Sequence, residues 1–399
     1  MDKKIIFHID INNAFLSWTA IKLLKEGYEQ DIRNIPSIIG GDEEKRHGIV
    51  LAKSPVAKKY GIKTAETIYS AKKKCQNLKI FPPDMEYYRK MSFNFFEYLK
   101  KYTPNIEKLS VDECFMDMSN SSYIYDDLII LAYQIKDEIY NLFGFTVNIG
   151  ISTSKICAKM ASDMEKPNKV HTLFLNELKR KMWPLPVDKL YMVGKHAAQK
   201  LHSLGINTIG ELAETDEKIL TKIFNKHGTT IWNYANGKSD DFSTKNDEKN
   251  KCISTSQTFE VDIGEKNKLL QILFQQVDTL CKDLRKQKLY TNTIAITYKT
   301  ADFISYSRQT TITTVTNSTE EISRYISNLL DKSWNNEKLR NIGIRFSNLT
   351  DKKQKQISIY TNNIEEEKND TVQETMDKIN DKYGSSIIRQ ANLFTKQCK

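Results

Sequence analysis

Cysteine is scarce and unpatterned in this chain. Cys75, Cys114, Cys157, Cys252, Cys281 and Cys398 form no Cys-x-x-Cys pair and no metal-binding spacing. A zinc ribbon and a disulfide-stapled secreted fold are therefore excluded, and the six read as reduced, cytosolic thiols. Long apolar runs are missing as well. Met1-Asp2-Lys3-Lys4 leads straight into a strand-like segment, with no stretch long enough for a signal peptide or a membrane span. The expectation is a cytoplasmic protein with no membrane association. No internal repeat is present, and no side chain stands out as a general base. What the chain has is length, 399 residues, enough for two or three domains. It also has positive charge, a net +10 with a pI near 9.0, which favours an anionic partner such as nucleic acid. That charge is diffuse, with only a small basic excess in residues 251–349, so it locates no binding face.

The informative residues are acidic. Leu109-Ser110-Val111-Asp112-Glu113-Cys114-Phe115-Met116-Asp117 reads as a half-buried hairpin interrupted by two adjacent carboxylates. Ionised carboxylates are costly there unless a cation compensates them. Ile5-Ile6-Phe7-His8-Ile9 is a buried-strand run that ends in Asp10. Asp10 beside Asp112 and Glu113 would place three carboxylates on one sheet, a donor set for divalent metal. Two ions so held stand about 3.5–4 Å apart and clamp attacking and leaving oxygens in phosphoryl transfer. Read singly, Asp10 is better taken as a helix cap and Asp112-Glu113 as a decorated turn, since acidic turn residues are common.

An ordered set of motifs resolves that choice. His8-Ile9-Asp10 with Phe15, Ala57-Lys58-Lys59-Tyr60-Gly61-Ile62-Lys63 and Ser110-Val111-Asp112-Glu113 come first. Gly150-Ile151-Ser152-Thr153-Ser154-Lys155, Ala158-Lys159-Met160-Ala161-Ser162-Asp163-Met164-Glu165-Lys166-Pro167-Asn168 and Ile342-Gly343-Ile344-Arg345-Phe346-Ser347 follow. Together they resemble the Y-family (translesion) DNA polymerases from about Lys3 to Leu349.

The resemblance implies an α+β right hand: palm, fingers, helical thumb and a βαββαβ little finger. The palm's first strand would be 1–12, the fingers 13–82, the catalytic palm 83–175 and the thumb 176–241. A polar linker at 242–250 would precede the little finger, 251–349, and a charged tail, 350–399. Helices are expected at Ala14–Leu24, Met91–Tyr102 and Asp127–Phe143, and a strand at Thr146–Ser152.

The implied reaction is nucleotidyl transfer from dNTP to a primer 3′-hydroxyl on template DNA. By resemblance, Asp10, Asp112, Glu113 and the Ile11 carbonyl hold two Mg²⁺. The triphosphate would meet backbone N–H groups of Asn13, Ala14 and Phe15, with Ser54, Lys58 and Lys166. Phe15 would exclude a 2′-hydroxyl by bulk, although spacing alone also allows a core aromatic. Val193, Gly194 and Lys195 resemble a helix-hairpin-helix turn gripping a DNA phosphate, with Met192 where a glycine is usual. Arg345 would contact DNA from the little finger.

Several departures are specific. Lys58 replaces an arginine, keeping charge without the bidentate fork. Pro55 stands where a tyrosine is usual, and Lys169 replaces a glycine. These changes look more like the SOS-mutagenesis branch of Gram-positive bacteria and their mobile elements than the polymerase IV branch. Gln356-Ile357-Ser358-Ile359-Tyr360 resembles a sliding-clamp docking peptide, with Gln356, Ile359 and Tyr360 as contacts. A monomer is expected. The competing reading is a catalytically silent DNA-binding homologue with a regulatory role; the intact carboxylates argue against it.

Overall fold

A computed structural model describes residues 4–41, 48–239 and 251–352, with 372–373, 375–380, 382–384 and 387–388 near the end. Two compact units divide the chain, Met1–Asn246 and Asp247–Lys399. Their boundary falls within the expected linker, which itself lies outside the described residues.

In the first unit, β1 (Ile6–Ile11) feeds α1 (Ala14–Lys25). A small lobe follows: β2 (Ser37–Gly40), β3 (Val50–Lys53), α2 (Pro55–Lys59), α3 (Ile68–Lys74) and β4 (Lys79–Phe81). Its strands form a sheet of order β3-β2-β4 over Ile38, Val50, Ala57, Ile62 and Ile68. The chain returns through α4 (Met85–Leu99), β5 (Ile106–Lys108), β6 (Glu113–Asp117), α5 (Leu128–Phe143), β7 (Val147–Ser152), α6 (Lys155–Ser162) and β8 (Val170–Thr172).

The five palm strands run in the order β5-β6-β1-β7-β8. β1 is central and antiparallel to both neighbours, so its buried Ile-Phe-His-Ile run is covered on both faces. Alternation sends Phe7, Ile9 and Ile11 to one face, with Met116, Val147, Ile149 and Ile151. There they meet Trp18 of α1, Phe95 and Leu99 of α4, and Ile135 and Ile139 of α5. The other face takes α6. Gly150 lets that helix approach, since a Cβ there would stand 1.9 Å from the Ala158 carbonyl oxygen.

α4 begins at Met85, ahead of the expected Met91, because Asp84 caps it by accepting from the Tyr87 N–H at 3.0 Å. The apolar stripe of Tyr88, Met91, Phe95 and Leu99 is sparse in the first turn, which hid the true start. The thumb comprises α7 (Leu178–Lys181), α8 (Lys195–Ser203), α9 (Ile209–Glu214), α10 (Glu217–Phe224) and α11 (Lys226–Ala235). Its core joins Leu178, Leu201, Leu212, Leu220 and Ile231 to Ile156, Met160 and Ala161 of α6.

The second unit runs β9 (Cys252–Ile263), α12 (Lys266–Lys286), β10 (Thr291–Thr300), β11 (Ser305–Thr316), α13 (Thr319–Ser333) and β12 (Leu339–Ser347). This is the βαββαβ unit, with strand order β11-β10-β12-β9. Leu273 and Val277 of α12 and Ile322 and Ile326 of α13 pack on Ile294, Ile296, Ile342, Ile344 and Phe346. The opposite sheet face bears small and polar residues, with Arg345 exposed between Ala295 and Ser254 in register.

Candidate active site on the palm sheet

The strand register assembles the acidic residues. Asp10, at the end of β1, lies opposite Glu113, the first residue of β6. The Ile11 N–H donates to the Asp112 carbonyl at 3.0 Å, which ties the turn of the hairpin to the same strand end. Asp10, Ile11, Asp112 and Glu113 therefore gather at one end of the adjacent strands β1 and β6.

Each carboxylate has its own partner. Asp10 Oδ1 is 3.1 Å from Lys166 Nζ, and Lys166 also reaches Asp163 at 2.8 Å. Asp112 Oδ1 accepts from the Ser110 hydroxyl at 2.5 Å. Glu113 Oε2 takes Lys159 Nζ at 2.5 Å. His8 Nε2 is 3.3 Å from the same oxygen but does not align as a hydrogen bond, while His8 Nδ1 meets Ser162 Oγ at 2.7 Å.

These surroundings separate the acids electrostatically. Burial pushes Asp10 up to about 6 despite Lys166. Burial acts the same way on Glu113, but the close approach of His8 and the hydrogen bond from Lys159 outweigh it and hold Glu113 at about 2. His8 is lowered, chiefly by burial.

Among the described residues, no group of three or more His, Cys, Asp or Glu side chains is gathered as a ready metal cage. The donor chemistry nevertheless fits a hard divalent cation: Glu113 stands opposite Asp10 in register, Asp112 adjoins it in the turn, and Asp10 is raised chiefly by burial, which a cation would offset. One consequence is testable without turnover. Because Asp10 holds its proton in the fold up to about pH 6, stability falls as pH rises from about 4 through that window. Asp10→Asn is expected to raise the thermal stability of metal-free protein at pH 7.5, by about 1–3 kcal/mol. The difference should vanish near pH 4; equal melting temperatures at both pH values would contradict the burial argument.

The remaining expected residues are distributed around these strand ends. Asn13 precedes α1 with φ 52° and supplies no side-chain cap, leaving the N–H groups of Ala14 and Phe15 at an uncapped helix start. Its amide instead donates to the Lys53 carbonyl at 2.6 Å, joining β3 to the carboxylate edge. Phe15 is half-buried and stacks on Tyr88 at 4.6 Å and 9°. Ser54 is buried and caps α2: its oxygen accepts from the Ala57 N–H at 2.9 Å and its proton goes to the Ile35 carbonyl at 2.6 Å. Ser54 thus serves the α2 cap, and a phosphate contact from it would exchange the bond to the Ile35 carbonyl. Lys58 is exposed on α2, and its charge adds to the burial that lowers Lys53.

In the thumb, Val193 is buried, Gly194 opens α8 without a side-chain cap, and Lys195 is exposed. Met192 sits at φ 72°, the left-handed conformation its glycine counterpart would favour. Gln356, Ile359 and Tyr360 lie outside the described residues.

Sequence reasoning missed four supporting residues. Asn12 Oδ1 accepts from the Asn168 N–H at 2.9 Å, and Asn12 Nδ2 donates to Asn148 Oδ1 at 3.1 Å. Asn148, fully buried, donates to the Ser162 and Glu165 carbonyls at 3.0 and 2.7 Å. This network ties the Lys166 loop to β1. His8 and Asn148 are polar residues in strongly apolar strands, and that was the available signal for them.

A palm sheet with acids at its strand ends, a fingers lobe, a helical thumb and a βαββαβ unit define a polymerase right hand. The backbone matches a solved Y-family DNA polymerase chimera with a TM-score of 0.74 at 21% identity, over 86% of this chain and 98% of that one. The chain belongs to the impB/mucB/samB family: the family model matches residues 9–163, its C-terminal domain 250–359 and its helix-hairpin-helix motif 176–206.

The DNA polymerase IV of Clostridium acetobutylicum is 45% identical over 99% of this chain and 100% of its own. That of Acetivibrio thermocellus is 32% identical over 98% of both chains. DNA polymerase IV 1 of Bacillus subtilis is 32% identical over 99% of this chain and 94% of its own. The names of these relatives support the family and not the finer SOS-mutagenesis branch. No described helix is long and apolar enough to cross a membrane.

Proposed function

We infer that this chain is a template-directed, low-fidelity DNA polymerase that extends primers across damaged template with dNTPs. The observation carrying the reading is the pairing of Asp10 with Glu113 while the Ile11 N–H holds the Asp112 carbonyl. Asp10, Asp112, Glu113 and the Ile11 carbonyl would hold two Mg²⁺. When bound there, the ions would lower the pKa of the primer hydroxyl and offset charge on the phosphates. The 3′-oxygen bonds to the α-phosphorus, the bond to pyrophosphate breaks, and the hydroxyl proton leaves to solvent.

The chain's own residues position these partners. The uncapped start of α1 offers N–H groups to the triphosphate, and Lys166 would move from Asp10 to a phosphate as the cation takes its place. Phe15, braced by Tyr88, would lie under the sugar. Gly194 at the α8 N-terminus and Arg345 on the open sheet face would grip the DNA backbone. A cytoplasmic monomer recruited by a sliding clamp through 356–360 completes the reading.

Primer extension by the purified protein tests it. The grip has a separate signature: Arg345→Ala should weaken primer-template binding without sequence preference and reduce the log–log salt slope by about 0.9. An unchanged slope would remove Arg345 from the DNA-contact set.

A further inference from the structure

Lys159 is a lysine with nothing to do in the reaction as described, yet it is 7% exposed and holds a catalytic carboxylate. Its ammonium lies 2.5 Å from Glu113 Oε2 on one side and 5.2 Å from the centre of the Tyr191 ring on the other. Tyr191 stacks on Tyr234 of α11 at 6.3 Å and 22°. It also directly precedes Met192-Val193-Gly194, the turn that opens α8. A burial this deep is unfavourable for an ammonium unless both contacts compensate it.

We propose that Lys159 is a positioning residue that couples the thumb turn to Glu113, by pinning Oε2 from beneath and leaving Oε1 for the metal edge. This rests on the polymerase reading of the carboxylates. The geometry supports it in two ways. Glu113 Oε1 has no protein partner among the described residues, whereas Oε2 faces both Lys159 and His8. And α6, which carries Lys159, packs its Ala158 against Ile6 and Phe115 of the sheet and its Met160 into the thumb core. A shift of the thumb turn on DNA therefore reaches the carboxylate through one side chain.

A purely structural lysine and a positioning lysine differ in an observable way. A cation against Glu113 opposes a divalent metal electrostatically, so its removal should tighten metal binding while loosening carboxylate geometry. In full-length protein, Lys159→Met is expected to bind Mn²⁺, followed by electron paramagnetic resonance without DNA, about 3–10-fold more tightly. The same variant should transfer nucleotide about 10–100-fold more slowly in single turnovers, counted per active site, with the Kd for dNTP changed less than about threefold.

Lys159→Arg keeps the charge and the ring contact and should restore the rate to within about threefold. Tyr191→Leu should slow transfer about 3–10-fold in the native background and not at all in the Lys159→Met background. Unchanged Mn²⁺ affinity in Lys159→Met, or equal Tyr191→Leu effects in both backgrounds, would overturn the coupling. If Lys159→Met does not fold, Lys159→Arg and Tyr191→Leu decide it by rate and Mn²⁺ affinity. Asp112→Ala, run alongside, separates the two ideas. Native-like extension by it sinks the carboxylate reading itself, whereas an inactive Asp112→Ala beside a native-like Lys159→Met sinks only the coupling.

Discussion

Asp112→Ala is expected to lower primer extension by at least about 10³-fold while DNA affinity stays within about threefold of native. The reasoning begins with what Asp112 does for the fold, which is little. Among the described residues its side chain hydrogen-bonds only the Ser110 hydroxyl, at the turn between β5 and β6. The backbone link that places it, the Ile11 N–H on the Asp112 carbonyl, survives the substitution. Melting temperature should therefore hold. An anion at the carboxylate edge is lost, and with it the stabilisation of charge developing on the phosphates. Asp10→Ala should be as damaging to the rate. The same loss of extension accompanied by a collapsed melting temperature would assign Asp112 to folding instead.

Phe15→Ala should change sugar selection more than catalysis. The Phe15 ring is parallel to Tyr88 at 4.6 Å, and Tyr88 is fixed by a 2.6 Å hydrogen bond with Thr19. A braced ring cannot yield to an added 2′-hydroxyl, so rejection by bulk is available in a way that a mobile side chain would not allow. Removing the ring is expected to raise ribonucleotide use relative to dNTP use on the order of 10²-fold. Because the ring is half-buried, stability should fall by about 1–2 kcal/mol. Single-turnover incorporation of rNTP and dNTP, with thermal melts of both proteins, separates the effects. Unchanged selectivity with lost stability would make Phe15 a core residue.

The fold was legible where residues carry a strong period. β1 and β7 and the α1 helix followed from patterning, because a covered sheet demands it, whereas the second unit's βαββαβ order came with the family resemblance. Element ends were not: α4 starts on the Asp84 cap, and a cap is one polar residue among many in a charged sequence. At the site, the acids were legible because buried carboxylates violate patterning, and the family motifs then fixed their roles.

The network behind them was not legible. Lys159 meets Glu113 across 46 residues, Asn12 meets Asn148 across 136, and only a folded sheet brings such pairs together. The capping role of Ser54 was hidden for a different reason. A hydroxyl beside a phosphate loop resembles a ligand contact, and only the structure shows its proton held by the Ile35 carbonyl.

The central claim is that the Asp10–Asp112–Glu113 edge adds nucleotides to a primer under template direction. Purified protein given primer-template, a single dNTP and Mg²⁺ tests it most directly, on undamaged and lesion-bearing templates. The expected result is a one-nucleotide product with the dNTP that pairs with the template base, abolished by chelation and by Asp112→Ala. Tight binding of the same DNA without any extended product, at any Mg²⁺ or Mn²⁺ concentration, would contradict it and leave a DNA-binding homologue.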